Sequence, residues 1–170
     1  MMIEQKKISP TESILFFTSP LSINGSIHSD DKQNTPDIAK NIKDTNLVSD
    51  FLLTSDFIYL KSNNAENLSD LNAISIAEID DFTNSKQDII GTDENIEEKI
   101  KMILKFIIAP FLNKDGGDIE FVSLSNNIVS VKFLGKCNGC PYAMRTLKER
   151  VEKNLIRYIP KIREAILVWK

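Results

Sequence analysis

The sequence predicts an α+β chain of two small domains, and three observations carry that reading. The first half alternates strand-like and helix-like stretches. The second half runs helix, strand, strand, helix, strand. Between them lies a polar, glycine-containing stretch, TNSKQDIIGTDE (83–94). The expected division is a small mixed α/β sheet domain over 1–82, a linker over 83–94, and a domain over 95–170 in which two helices pack a three-stranded sheet. With 170 residues, 42% hydrophobic and 26% charged, the composition is that of a globular protein and argues against disorder throughout.

In the first half, SILFFTSPLSI (13–23) is rich in Ile, Leu and Phe and is broken by Ser19-Pro20, which predicts two short strands or one bent strand. TPDIAKNIKDT places Thr35 as an N-cap and Pro36 at the first helical position, with Ile38 and Ile42 on one face. NLVSDFLLTSDFIYLKS predicts two strands around Thr54-Ser55-Asp56. SDLNAISIAEIDDF sets Leu71 and Ile74 at helical spacing, capped by Ser69 or Asp70. His28, the only histidine, sits in the polar stretch NGSIHSDDKQN and is expected to be a solvated loop residue.

In the second half, Ile96, Ile100, Ile103, Leu104, Ile107, Ile108 and Phe111 follow a 3,4 spacing, with Glu97, Glu98, Lys99 and Lys101 expected on the outer face. This predicts a helix of about four turns, with Pro110 near its end. NKDGGD (113–118) supplies a turn that needs positive φ or close backbone approach. IEFVSLS and IVSVKFLG flank Asn126-Asn127 as a hairpin, with Val129, Val131 and Phe133 on the buried face. Pro141 is expected in the first turn of a second helix, whose apolar stripe is Met144, Leu147, Val151 and Leu155. AILVWK (165–170) closes the chain as a third strand.

The net charge of -3 conceals a split: residues 1–94 carry -9 and residues 95–170 carry +6. The basic half contains no basic run and no interleaved aromatics, so a nucleic-acid partner is not expected. No run reaches the roughly 18 apolar residues of a membrane span, and the N-terminal MMIEQKKISPTES has no apolar signal core, so the expected location is the cytoplasm, without a membrane partner.

Both cysteines, Cys137 and Cys140, lie in GKCNGCPYAM. A bridge between them would close too small a loop to stabilise a chain of this size, so chemistry in a reducing compartment is the expected use. The helix N-terminus behind them, with Lys136 and Arg145, is expected to stabilise thiolates. Several readings compete. A closed zinc site needs four protein ligands, and the chain offers two cysteines and a distant histidine. A thiol-disulfide oxidoreductase could use the Cys137/Cys140 pair, although the aromatic and proline residues usual in such motifs are missing. Two packed thiols without a ligand fit poorly beside Gly, Lys and Asn. Two chains together would supply four thiolates to a 2Fe-2S or 4Fe-4S cluster.

The ordered series Asp115-Gly116-Gly117-Asp118, hairpin, Gly135-x-Cys137-x-x-Cys140-Pro141, Thr146-Leu147-Lys148 and Ile159-Pro160 resembles the C-terminal domain of the NifU family, the Nfu-type iron-sulfur cluster carriers, over roughly residues 96–169. SDFIYLKS and the helix after it more loosely resemble the N-terminal domain of the same carriers. The resemblance implies a non-enzymatic scaffold or carrier. It would hold a labile cluster, 4Fe-4S ahead of 2Fe-2S, between the subunits of a homodimer, with Cys137 and Cys140 as ligands. An upstream assembly scaffold would be the donor, and apo iron-sulfur proteins would be the acceptors.

Overall fold

A computed structural model describes residues 2–33 and 35–169, and divides the chain into two units, 1–95 and 96–170. The first unit contains β1 (Ile3–Ser9), β2 (Glu12–Phe17), β3 (Ile23–Asn24), β4 (Ser26–His28), α1 (Asp37–Asp44), β5 (Val48–Thr54), β6 (Phe57–Ser62), α2 (Leu68–Ser85) and β7 (Ile89–Ile90). Five of its strands form an antiparallel sheet in the order β1-β2-β6-β5-β4. Alternation decides which side chains meet the helices. Leu15, Phe17, Phe51, Leu53, Ile58 and Leu60 share one core with Ile38, Ala39 and Ile42 of α1 and Leu71, Ile79 and Phe82 of α2. Burying each large apolar side chain in such a core stabilises the fold by about 1.5–3 kcal/mol.

Several first-half expectations move. Pro36 is the N-cap of α1, so the helix starts one residue later than predicted. Asn67 is the N-cap of α2, because Asn64 already accepts the Asn67 N–H through its side chain at 3.0 Å and shapes the entry turn. Within 83–94, where a linker is expected, α2 continues to Ser85 and β7 pairs in parallel with β3, with Ile89 buried in the core of the first unit. The polar composition conceals this, because one buried isoleucine, Ile89, suffices to dock so short a strand, and Ile90 points to solvent.

His28 is also not solvated. It ends β4 at 4% exposure, its Nδ1 accepts the Asp30 N–H at 3.1 Å, and its Nε2 lies 3.4 Å from Asp50. Nearby, the buried Asp31 carboxylate accepts the His28 N–H, the Thr92 hydroxyl and the Asn95 amide, fastening the end of the unit to the β4 loop. β1 has no counterpart in the sequence reading, because this edge strand is largely exposed and its Glu4, Gln5, Lys6 and Lys7 show no apolar alternation.

The second unit follows the predicted order. It contains α3 (Ile96–Ile103), a π-helical turn (Leu104–Ile108), α4 (Ala109–Asn113), β8 (Gly117–Ser125), β9 (Ile128–Gly135), α5 (Ala143–Thr146), a second π-helical turn (Leu147–Glu152), α6 (Lys153–Tyr158) and β10 (Glu164–Leu167). The sheet order is β10-β9-β8, with β8 antiparallel and β10 parallel to β9. The parallel pairing requires the crossover that the helix from Ala143 to Tyr158 provides. Val129, Val131 and Phe133 are buried as their alternation predicts. Asn126 and Asn127, at φ 51° and 63°, form the tight hairpin turn whose twist suits two residues in the left-handed region. A bulge near Val122 interrupts the register of β8.

The first helix is interrupted at Leu104–Ile108 just ahead of Pro110. Proline has no N–H for the carbonyl of Phe106 and its ring crowds that group, so the preceding turn widens. Lys99, expected on the outer face, is fully buried; it lies one turn before Ile103 and so shares its arc. Phe111 is 41% exposed, with the Arg150 guanidinium 4.5 Å from its ring centre. Among the described residues, no helix is long and apolar enough to cross a membrane.

Glu152 ties the second helix to β10. Its carboxylate accepts the Ala165 N–H at 2.8 Å and the Lys148 ammonium at 2.7 Å, while Lys148 also reaches Glu164 at 3.0 Å. Burial pushes the Glu152 carboxyl upward, but the Lys148 and Ala165 hydrogen bonds outweigh it and hold it below the ordinary carboxylate value. A lowered carboxyl stabilises the fold above its unfolded pKa, and that contribution is lost as pH falls through the folded value. Glu152→Ala is therefore expected to lower amide-exchange protection at Ala165 by about five- to tenfold at neutral pH, roughly 1 kcal/mol. The wild-type protection should fall toward that of the variant on acidification below about pH 4.

Candidate functional site

The site is built on the open end of the β8–β9 hairpin. Gly117 pairs with Gly135 there, and the Gly116 carbonyl accepts the Lys136 N–H at 3.1 Å. Gly135 lies at φ +59°, and a Cβ on it would come within 2.4 Å of the Gly116 oxygen. A Cβ on Gly117 would come within 2.0 Å of Cys137 Sγ, so the absent side chain is the space that the sulfur occupies.

From Gly135 the chain descends through overlapping turns. Cys137 N–H donates to the Leu134 carbonyl at 3.3 Å, Asn138 N–H to Gly135 at 3.1 Å, Cys140 N–H to Cys137 at 3.4 Å, and Ala143 N–H to Cys140 at 3.0 Å. The Cys137–Cys140 bond closes a four-residue turn, a geometry that keeps its end Cα atoms within about 7 Å. Both cysteines are free thiols and half-buried. Asn138 and Gly139 form an exposed tip, and nothing lies within 4 Å of where a Gly139 Cβ would be.

Two expectations about the following helix change. It starts at Ala143, so Pro141 belongs to the turn ahead of it. A fixed φ and a missing N–H suit that turn as well as a first helical position. Met144, expected in the buried stripe, is 51% exposed beside Tyr142 at 68%, whereas Leu147, Val151 and Leu155 are fully buried. The stripe therefore begins one turn later, and two large apolar side chains are exposed next to the thiols.

The expected electrostatics also reverse at one cysteine. Burial pushes the Cys137 thiol above its ordinary value, and Cys140, Asp115 and Asp118 push it the same way. The cations expected to oppose this have other contacts. Arg145 Nε donates to Glu149 at 3.1 Å, and the Lys136 methylenes lie along Gly116. The two aspartates are the site residues that counting charge over the whole half misses. They flank Gly116 and Gly117 in the turn that connects α4 to β8.

Among the described residues, no group of three or more His, Cys, Asp and Glu could hold a metal ion, so the pair finds no third ligand there. Residues 100–166 match the family model of the NifU-like domain. Curated relatives include proteins named "NFU1 iron-sulfur cluster scaffold homolog, mitochondrial". The one from Drosophila persimilis is 36% identical over 86 residues, which is 51% of this chain and 30% of the relative. The one from Drosophila virilis is 38% identical over 86 residues, 51% of this chain and 29% of the relative. The chain thus spans about 30% of the length of these relatives. The matched residues cover the hairpin, the cysteine turn, the second helix and most of β10.

The Gly117–Cys137 contact is directly testable. Gly117→Ala is expected to destabilise the protein by about 1–3 kcal/mol, the range for forcing a methyl into occupied space, and to turn the Cys137 sulfur outward. A urea midpoint reads the first effect and the alkylation rate of Cys137 the second. Wild-type values for both would mean that the sulfur does not rest on Gly117.

Proposed function

We propose that the protein is an iron-sulfur cluster carrier in which Cys137 and Cys140 bind a labile cluster, 4Fe-4S ahead of 2Fe-2S, at the interface of a homodimer. The observation that carries this reading is a pair of free thiols in one accessible turn, with no third ligand among the described residues, inside a NifU-like domain. Such clusters take four thiolates, and a second copy of the same turn supplies the missing two. The exposed Tyr142 and Met144 provide apolar surface for that contact. The cluster is cargo. An acceptor thiol gives up its proton and its sulfur bonds to iron; the bond from that iron to Cys137 or Cys140 breaks, and the departing thiolate takes a proton. No electrons move, and the exchange needs no enzymatic acid or base.

A dithiol oxidoreductase is less well supported, because its attacking cysteine works best as a thiolate near ambient pH, whereas burial and carboxylates push Cys137 upward. An assembly scaffold is the proposed donor and apo iron-sulfur proteins the acceptors, a role in line with the name of the relatives. The compartment is one that keeps thiols reduced, a condition met by the cytoplasm and by the mitochondrial interior named for the relatives.

Anaerobic incubation with iron, sulfide and reductant is expected to give a brown species with sulfur-to-iron charge-transfer absorption near ~400 nm and one cluster per dimer. Cys137→Ser and Cys140→Ser should each abolish stable uptake. Full uptake by either variant, or a loaded monomer by sizing, would contradict the reading. The acidic first unit, which we read as a counterpart of the carriers' N-terminal domain, is assigned to partner recognition. Deletion of 1–94 should slow transfer to some acceptors and leave uptake intact; equal transfer to every acceptor tried would remove that assignment.

A further inference from the structure

We infer that Asn138 is a self-modification site: in the cluster-free protein its side-chain amide is lost to attack by the Gly139 backbone nitrogen, and the product holds a cluster less well. The site follows from the geometry of the turn alone; its consequence for uptake rests on the reading of Cys137 and Cys140 as cluster ligands. Asn-Gly occurs twice in the chain, as Asn24-Gly25 and Asn138-Gly139. Asn138 and Gly139 are both exposed, Gly139 lies at φ +76°, and nothing but its chain neighbours comes within 4 Å of where its Cβ would stand. The attacking nitrogen therefore has room, and glycine has no side chain to shield it. Among the described residues no hydrogen bond engages the Gly139 N–H or the Asn138 side chain. The turn is closed by the Cys140 N–H on the Cys137 carbonyl at a long 3.4 Å, so it opens at little cost. Asn24-Gly25 is the opposite case. Asn24 belongs to β3, its carbonyl accepts the Gly91 N–H at 2.8 Å, and Gly25 is buried.

The chemistry needs only water. The Gly139 amide gives its proton to water or hydroxide, and its nitrogen bonds to Asn138 Cγ. The Cγ–Nδ2 bond breaks, Nδ2 takes up a proton and leaves as ammonia, and a five-membered imide ring remains. Water then opens the ring on one side or the other. Cutting the bond from nitrogen to Cγ gives aspartate; cutting the bond from nitrogen to the backbone carbonyl carbon gives isoaspartate, with the main chain running through Cβ and Cγ. One water is consumed and one ammonia released, and nothing is oxidised or reduced. Both products place a new negative charge in the segment between the two cysteines, where four thiolates around a 4Fe-4S core already carry a net charge of about -2. Isoaspartate also adds one atom to the main chain inside the turn, so the Cys140 N–H no longer meets the Cys137 carbonyl in register and the sulfurs lose their spacing.

The test ages the full chain anaerobically and free of iron, at mildly alkaline pH and physiological temperature. Trypsin separates the two sites, releasing residues 137–145 with Asn138 and residues 8–32 with Asn24. Mass spectrometry then reads the gain of about 1 Da that replacing an amide by a carboxyl group gives. Asn138 is expected to convert about tenfold or more faster than Asn24, because a residue held in a strand pair reacts only after local opening. Reconstitution of the aged protein with iron and sulfide, read by absorbance near ~400 nm, should fall in proportion to the converted fraction. Asn138→Gln, whose longer side chain must close a less favourable six-membered ring, should gain no mass in 137–145 and keep the uptake it has when fresh. Equal conversion at Asn24 and Asn138 overturns the site, and full uptake by protein that is mostly converted overturns its consequence. A fresh wild type that takes up no cluster overturns the carrier reading and the consequence drawn from it, while the mass gain in 137–145 decides the site by itself, so the two failures are told apart in one series.

Discussion

The contact between the Cys137 sulfur and the bare Cα of Gly117 is the constraint on which the rest of the C-terminal unit converges. It exists because Gly117 and Gly135 pair at the open end of the hairpin, which brings the turn leaving α4 and the turn leaving β9 against each other. The hairpin in turn keeps its register through the two-residue turn at Asn126-Asn127 and the buried row Val129, Val131 and Phe133. The crossover helix then pins β10 alongside β9, with Glu152 holding the Ala165 amide. A small sheet thus fixes the position of two thiols on an otherwise open loop.

The cysteine turn and the order of elements around it were legible in the sequence for local reasons. Alternation in IVSVKFLG, the Asn-Asn turn and the stripe Met144, Leu147, Val151 and Leu155 each depend on neighbours a few residues away, and each holds except at Met144, which is exposed. The failures have a different character. Lys99 was placed outside by residue type, although its angle on the helix puts it with Ile103. The polar stretch around His28 suits a solvated loop, yet its pairing with Leu52 on β5 and the approach of Asp50, both remote in sequence, bury it. β1 lacked a signal altogether, because an exposed edge strand needs no apolar alternation. The residues of β7 suit a linker by composition, because their pairing with β3 is remote in sequence.

Charge shows the same difference of scale. A domain total of +6 describes the field met by a partner at a distance, while the thiol feels groups within a few ångströms. At that range Arg145 and Lys148 are paired with glutamates, while Asp115 and Asp118 add to the upward push on the Cys137 thiol. Motif recognition located the two candidate sulfurs but carried no information on this local field.

The bulge near Val122 has a consequence for assembly. β8 is a nine-residue strand at the margin of its sheet, and a flat strand of that length would be a template for pairing with its twin in another molecule. The break in register twists it away, and Asp118 and Glu120 place like charges where two such strands would meet. Under the carrier function proposed above, association is thereby steered from the backbone-to-backbone route, which would be hard to undo, toward contact through the cysteine loop.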